Sequence, residues 1–483
     1  MFHLQVSKRF LPILKSKKQS THENPNSTGN MVKSSSVIRL LFLLFITVSI
    51  QALFIVLKIR DSGGRGSQQQ LQRSAGNFPA ERKGCENGLV YMYELPPMFN
   101  KELLDKCDEL DPWGSRCPAV SNNGLGPRAT NLAGVVPANL TPAWYQTDKY
   151  TSEVIYHARM MDYECRTEVL EEATAFYVPF YPGLAIWKYL NSNYTAKDRD
   201  RPAEMLLDWL QSQPSWRKRN GADHFLVLGR LTWDFRRSQD SDWGSSLIYM
   251  PAMQNVMKIA VERYPWDELE FSVPYPTAFH PRSRSDIEEW QRYIRSRTRK
   301  SLFSIVGKPR KNDFGSLLMD NCKTESRSCK FVDCSVKRCS GTEPGVLETY
   351  LDSNFCLQPK GDTSTKRAFF DCMVAGSIPV FFSEFSFNGQ YEWHLPLIGE
   401  SYSVFIDSKD VESGKVSIRN RLEEISEEKV RKMRETIIEF LPKILYAESK
   451  QGLGNLKDAF EITIERVVKK VRWELKKKPS LLL

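Results

Sequence analysis

The sequence predicts an α/β protein of two Rossmann-like domains with a cleft between them, preceded by a single transmembrane helix and a stem. Three observations carry that prediction. Short apolar runs alternate with amphipathic stretches from Gly88 onward, the pattern of parallel strands joined by crossover helices. The chain has 483 residues, 41% hydrophobic and 26% charged, more than one hydrophobic core ordinarily organises. One uncharged apolar run stands apart near the N-terminus.

That run, Leu40–Leu57, holds eighteen residues without a charge, long enough to cross a thin bilayer. Lys8, Arg9, Lys15, Lys17, Lys18 and Lys33 precede it, so residues 1–39 read as a cytosolic tail and the remainder as lumenal. Lys58, Arg60, Arg65 and Arg73 on the far side weaken that bias. The run lies too far from Met1 for an ordinary signal peptide, and no small-residue cleavage site follows it. Residues 58–84, rich in Gly, Ser, Gln and Arg, read as a flexible stem.

The first domain is expected over 85–300. Leu89–Tyr93, Ala175–Pro179 and Phe225–Leu228 read as strands; Leu206–Leu210, Val256–Val261 and Ile287–Ile294 read as parts of amphipathic helices. The second domain, 301–445, opens on the strand LFSIVG after Ser301. It continues through a β–loop–α–β unit: Phe355–Leu357, a helix over Thr363–Ala375 with Asp362 or Thr363 as N-cap and Gly376 as its stop, and Ile378–Phe382. Arg421–Tyr446 and Leu456–Leu475 read as closing helices, with 446–483 ending in a basic tail.

All ten cysteines follow the anchor, which fits an oxidising lumen. Cys107 and Cys117 flank a turn-rich loop and can pair. Cys322, Cys329, Cys334 and Cys339 read as a loop stapled by two disulfides; a zinc site is the alternative, but the spacing lacks a C-x-x-C pair. Cys356 and Cys372 read as buried apolar residues. Asn139 and Asn193 are lumenal glycosylation sequons, whereas Asn26 should stay bare. The net charge of +10 gathers in basic runs at the two ends with acidic residues interspersed between, which argues against a nucleic-acid partner.

The most informative stretch is FCLQPKGDTSTKRAFFDCMVAGSIPVFF, Phe355–Phe382. Ser364, Arg367 and Asp371 fall on one face of the expected helix. Lys366 and Arg367 lie in its first turn, where the macrodipole disfavours cations by about 0.3–1 kcal/mol each. A diphosphate there reverses the sign, drawing on free backbone N–H groups, Lys360 and both cations. Asp371, a turn deeper, is placed to accept hydrogen bonds from a ribose. The same residues would also make a solvated face with an Arg367–Asp371 pair of little worth. Lys308 and Arg310, in VGKPRK, lie where a second phosphate-facing loop would open, or form a solvated basic turn.

Phe355–Asp371 resembles the nucleotide-sugar motif of the exostosin-like glycosyltransferases, matching C-L-x-P-x-G-D-[ST]-x-[ST]-x-R-x-F over Cys356–Phe369 with the motif's acidic residue one place later at Asp371, and in particular the plant xyloglucan galactosyltransferase branch. The likeness continues in CENGLVYMYELPPMFN, NNGLG, FYVPFYPGL, DHFLVLGRLTWDFRR, PYPTAFHP and WHLP, over roughly residues 85–470. The resemblance implies a GT-B arrangement and a single-pass type II Golgi membrane enzyme. Such an enzyme would move galactose from UDP-galactose to xylosyl side chains of xyloglucan, with inversion and without a metal cofactor. Its partners would be the donor, the polysaccharide, the membrane and other Golgi transferases.

Donor-binding candidates are Lys308, Arg310, Lys360, Gly361, Asp362, Ser364, Arg367 and Asp371. For the base, Asp234 follows a buried strand whose C-terminal loop should face the cleft, and it matches an aspartate recurrent in the wider family. A carboxylate there can take the acceptor proton, or pair with Arg236 or Arg237. His224, which starts that strand, is the second catalytic candidate, and His157 and His280 are lesser ones. Tyr181 and Trp233 are the acceptor-binding candidates, with Tyr177, Phe180, Trp187 and Trp243 as further flat faces.

The D-x-D tripeptides Asp198-Arg-Asp200 and Asp240-Ser-Asp242 read as loops rather than metal sites. The family's F-Y-A-G-[LF]-D is altered here at Pro182 and Ala185, which bears on the acceptor, while Lys360 and Lys366 bear on the donor. Alternatives are transfer of another sugar, such as galacturonic acid or arabinose, and a non-catalytic polysaccharide-binding scaffold.

Overall fold

Two all-parallel sheets organise the chain. The computed structural model describes residues 84–477 except 113, 191–193, 312, 336–338, 340 and 449–450. Leu40–Leu57, the stem to residue 83, Asn26, Asn193 and the last six residues lie outside the described residues. Among the described residues no helix is long and apolar enough to cross a membrane.

The first sheet has the order β2-β1-β3-β4-β5-β6. Its strands are β1 Leu89–Met92, β2 Arg166–Thr167, β3 Ala173–Tyr177, β4 His224–Val227, β5 Met257–Ala260 and β6 Glu270–Ser272. The second has the order β11-β10-β9-β7-β8, from β7 Ser301–Gly307, β8 Cys329–Asp333, β9 Ser353–Gln358, β10 Ile378–Phe381 and β11 Val404–Phe405. Central strands such as β4 and β10 are buried throughout, as expected of sheets covered on both faces. That burial explains a misreading. Val256–Val261, expected as part of a helix, contains β5, because an apolar run covered on both sides has no amphipathic period to separate strand from helix.

The connections cross between the halves. The segment Ala129–Trp144 and the Arg284–Ser296 helix pack into the core of the second sheet, with Trp290 and Trp144 at its centre. The Ala459–Lys477 helix returns to pack on the first sheet. The strands of the first sheet end at Ser272 and those of the second begin at Ser301, while the packing crosses between them.

All ten cysteines are paired. Cys85–Cys165, Cys107–Cys117, Cys322–Cys329 and Cys334–Cys339 tie local loops and the first strand. Cys356–Cys372 joins β9 to the Arg367–Val374 helix. The reading of these two as unpaired apolar residues is corrected: a β–loop–α unit folds its helix back over its own strand, bringing the Cα atoms to 6.5 Å.

Candidate active site

Strand order locates the crevice. In each sheet the chain reverses direction of growth once, between β1 and β3 in the first and between β7 and β9 in the second. Ligands of open α/β sheets bind at the carboxyl ends of the strands flanking such a point. The loops leaving β7 and β9 carry Lys308, Arg310, Lys360, Gly361 and Asp362, which the structure brings together. Arg310 Nη1 donates to Asp362 Oδ1 at 2.8 Å across the two loops, and Lys308 and Lys360 are exposed beside them. A Cβ added at Gly361 would meet nothing within 4 Å, so the loop is open on that side.

The helix that follows starts later than the sequence suggests, at Arg367 rather than Thr363. The reason is tertiary. Residues 363–365 are held by Glu262, the residue after β5's last turn of chain in the first half. Its Oε2 accepts from Thr363 Oγ1 and Thr365 N, both at 2.8 Å, and from Thr365 Oγ1. Its Oε1 accepts from Trp233 Nε1 at 2.8 Å. Glu262 thus ties one backbone N–H and two hydroxyls of the stretch just before the helix. Lys366 becomes the N-cap and supplies no side-chain cap to the first N–H groups of the helix. Burial lowers the Lys366 ammonium to about 8, opposed by Asp313; an anion at this end would restore its charge.

Arg367 and Asp371 form the i, i+4 pair, at 3.2 Å. Burial raises the Asp371 carboxyl, against the pull of Arg367. They point inward rather than along the open loop. Arg367 Nη1 donates to the Thr147 carbonyl of the first half, and a Cβ at Gly341 would lie 2.8 Å from Asp371 Oδ1 and 2.9 Å from Arg367 Nη2. Arg367 Nη2 is buried without a partner among the described residues. Ser364 contributes its carbonyl to Ser386 Oγ at 2.7 Å.

Across the crevice, Asp234 Oδ2 accepts from Arg230 Nε at 2.7 Å and Oδ1 from Trp243 Nε1 at 2.8 Å. Its partner is thus Arg230, not Arg236 or Arg237. Arg230 lies against the Tyr150 and Trp187 rings at 4.6 and 4.4 Å and beside Glu153, whose carboxyl burial pushes up to about 8 although Gly183 and Leu184 N–H donate to it. Gly229 is obligatory there. Its φ is +69° and a Cβ would sit 2.3 Å from Glu153 Oε2.

Other expectations are corrected. His224 is fully buried, its Nδ1 on Asp223 at 2.7 Å and its Nε2 on Tyr93 Oη at 2.8 Å, stacked on Phe176. It starts β4, at the end remote from the crevice, and is structural. Tyr181 is buried at 2% exposure with its hydroxyl on His157 Nδ1, so it offers no face to an acceptor. Trp233, at 38%, is exposed. Ala185 faces the core, so the family departure there alters packing, not the crevice surface.

Asp198 caps its helix with Thr195, and Asp200 holds Arg237. His280 is buried, its Nδ1 on the Tyr446 carbonyl and Nε2 on Thr147 Oγ1, both at 2.8 Å, which steadies the segment that Arg367 grips. Asn139 is exposed and its amide donates to Glu289. Sequence reading missed Glu262, Thr147 and Gly341. The available signal for Glu262 was a lone acid directly after an apolar run, visible only once that run is taken as a strand.

Comparison with known proteins follows the same boundaries. The exostosin GT47 domain model matches residues 84–422. The chain is 49% identical over 391 residues to xyloglucan galactosyltransferase XLT2 of Arabidopsis thaliana, covering 80% of this chain and 76% of that one. It is 40% identical to xyloglucan galactosyltransferase MUR3 of the same plant, covering 80% of this chain and 63% of that one. It is 36% identical to the plant's xyloglucan-specific galacturonosyltransferase 1, covering 83% and 60%.

Proposed function

The chain belongs to the exostosin GT47 family and is a glycosyltransferase, and on that premise we propose that it moves galactose from UDP-galactose to xylosyl side chains of xyloglucan, with inversion. The observation that carries the reading is the crevice between the β7 and β9 loops, whose cations and uncapped helix end suit a diphosphate. Electrostatic stabilisation of the departing UDP by Lys360, Lys308 and Lys366 supplies the leaving-group chemistry without a metal. Arg367 Nη2 offers one further donor, without a partner among the described residues.

In this reading Asp234 takes the acceptor proton. One donor per carboxylate oxygen leaves each oxygen a free lone pair. Two facing parallel α/β halves with a helix returning to the first are consistent with a GT-B arrangement. Five disulfides support residence in an oxidising lumen, with Leu40–Leu57 as the Golgi membrane anchor.

The test incubates the protein from Arg60 onward with UDP-galactose and xylosylated glucan oligosaccharides and follows acceptor mass. A gain of one hexose, abolished in Asp234→Asn protein that still folds and binds UDP, is expected. Full activity in Asp234→Asn removes it as base. Product with UDP-galacturonic acid alone replaces the donor.

A further inference from the structure

Beside the crevice runs a row of aromatic side chains that the transfer chemistry does not use. Trp233, Tyr264, Trp266 and Phe385 follow one another with ring centroids 5.6, 5.0 and 6.1 Å apart. Three of them are solvent-exposed, Trp233 at 38%, Trp266 at 66% and Phe385 at 50%. The row crosses from one half to the other: Trp233 follows β4, Tyr264 and Trp266 follow β5, and Phe385 follows β10.

Both ends of the row are tied to the donor loop. Trp233 Nε1 is held by Glu262, whose other oxygen holds Thr363 and Thr365. At the far end Ser386, the neighbour of Phe385, donates to the Ser364 carbonyl at 2.7 Å. The middle is braced from beneath. Arg236 lies 4.6 Å from the Tyr264 ring centroid, donates to Asp267 at 2.9 Å and pairs with Glu270, while Tyr264 N donates to Glu270 Oε1 at 2.8 Å. Rings held in this way present their faces without a fresh entropic cost on binding.

From this geometry we propose that the row is a docking ledge for the backbone of the acceptor polysaccharide, a linear β-linked glucan, outside the sugar unit that reacts. The inference rests on the proposed function and adds where the rest of the polymer lies. The occupant follows from continuity with the donor loop at both ends and from chemistry. Pyranose rings carry apolar C–H faces that stack on aromatic rings, and the row is spaced at about one sugar ring per side chain. The ring planes turn by 81°, 55° and 53° along it, which suits a chain that twists about its glycosidic bonds.

The test uses Trp266→Ala, Phe385→Ala and the conservative Trp266→Phe, all at exposed positions, and two readouts. Retention in gels containing xyloglucan polymer reports binding independently of catalysis; KM and kcat are then compared for polymer and for an acceptor of one repeat. Trp266→Ala should bind polymer about three- to tenfold more weakly and raise the polymer KM to match, with Trp266→Phe close to wild type. UDP-induced thermal protection, kcat and the short-acceptor KM should not move. Unchanged polymer retention in both alanine variants overturns the ledge, as does a wild-type protein that no linear glucan retains. Polymer retention lost in the variants of a protein that transfers no sugar would keep the ledge and overturn the transferase substrate instead.

Discussion

Glu262→Gln is the sharpest perturbation of the crevice. The carboxylate accepts one N–H at Oε1, from Trp233, and one N–H at Oε2, from Thr365, besides two hydroxyls at Oε2. Hydroxyls can rotate to accept from an amide, but the indole and the backbone N–H can only donate. A glutamine of the same shape has one oxygen, so in either flip its NH2 faces one of these two donors. The site is 2% exposed, so the orphaned donor is not rescued by solvent, and the conflict costs about 1–3 kcal/mol. At about 2–4 °C per kcal/mol for domains of 150–250 residues, the melting midpoint should fall by a few degrees. Loop 363–366 must then be re-ordered when the donor binds, which at a factor of ten per about 1.4 kcal/mol weakens UDP by roughly five- to hundredfold. Thermal shift with and without UDP measures both quantities. A variant with the wild-type midpoint and a UDP Kd within about twofold of wild type would refute the claim that Glu262 holds the donor loop.

Three further outcomes are expected. Arg367→Ala leaves Asp371 buried beside Gly341 without its cation, at about 3–5 kcal/mol; chemical denaturation should show the loss, and Arg367→Ala/Asp371→Leu should recover part of it. Cys356→Ser opens a loop with a sequence separation of 16, which at about 3 kcal/mol should lower the denaturation midpoint and loosen the donor helix, read by proteolysis within 359–366. His280 and His394 are buried and lowered to about 4 and 3, and His157 to about 4, by loss of solvation. The unfolded chain binds protons to them below its ordinary value of about 6.5 while the fold does not, so stability is present above that pH and is lost as pH falls toward 4. Equilibrium unfolding across that window should show the decline, and His280→Asn should flatten part of it.

Much of the fold was legible because its signals are local. Apolar runs, the Pro359–Asp362 turn and the amphipathic Ile287–Ile294 segment each declare their element within a few residues. Where the sequence misled, a distant partner had intervened. The helix begins at Arg367, and the residues before it are tied to Glu262, about a hundred residues earlier. Tyr181 and His224 look like site residues in sequence, being polar aromatics in distinctive motifs, yet both are spent inside the core, Tyr181 on His157 and His224 on Asp223 and Tyr93. Cys356 and Cys372 look apolar because their surroundings are apolar; the helix folding back over its strand makes them partners.

By itself the sequence determined the α/β class, the two halves, the Pro359–Asp362 turn and which cations lie on the loops after β7 and β9, since each depends on residue type and short-range spacing. Only the tertiary structure decided that Arg367 grips Thr147, that Glu262 latches the donor loop and that four aromatics from three loops form one row. Those are contacts between residues far apart in the chain, chosen by how the sheets and their crossover helices pack, and no local period records them.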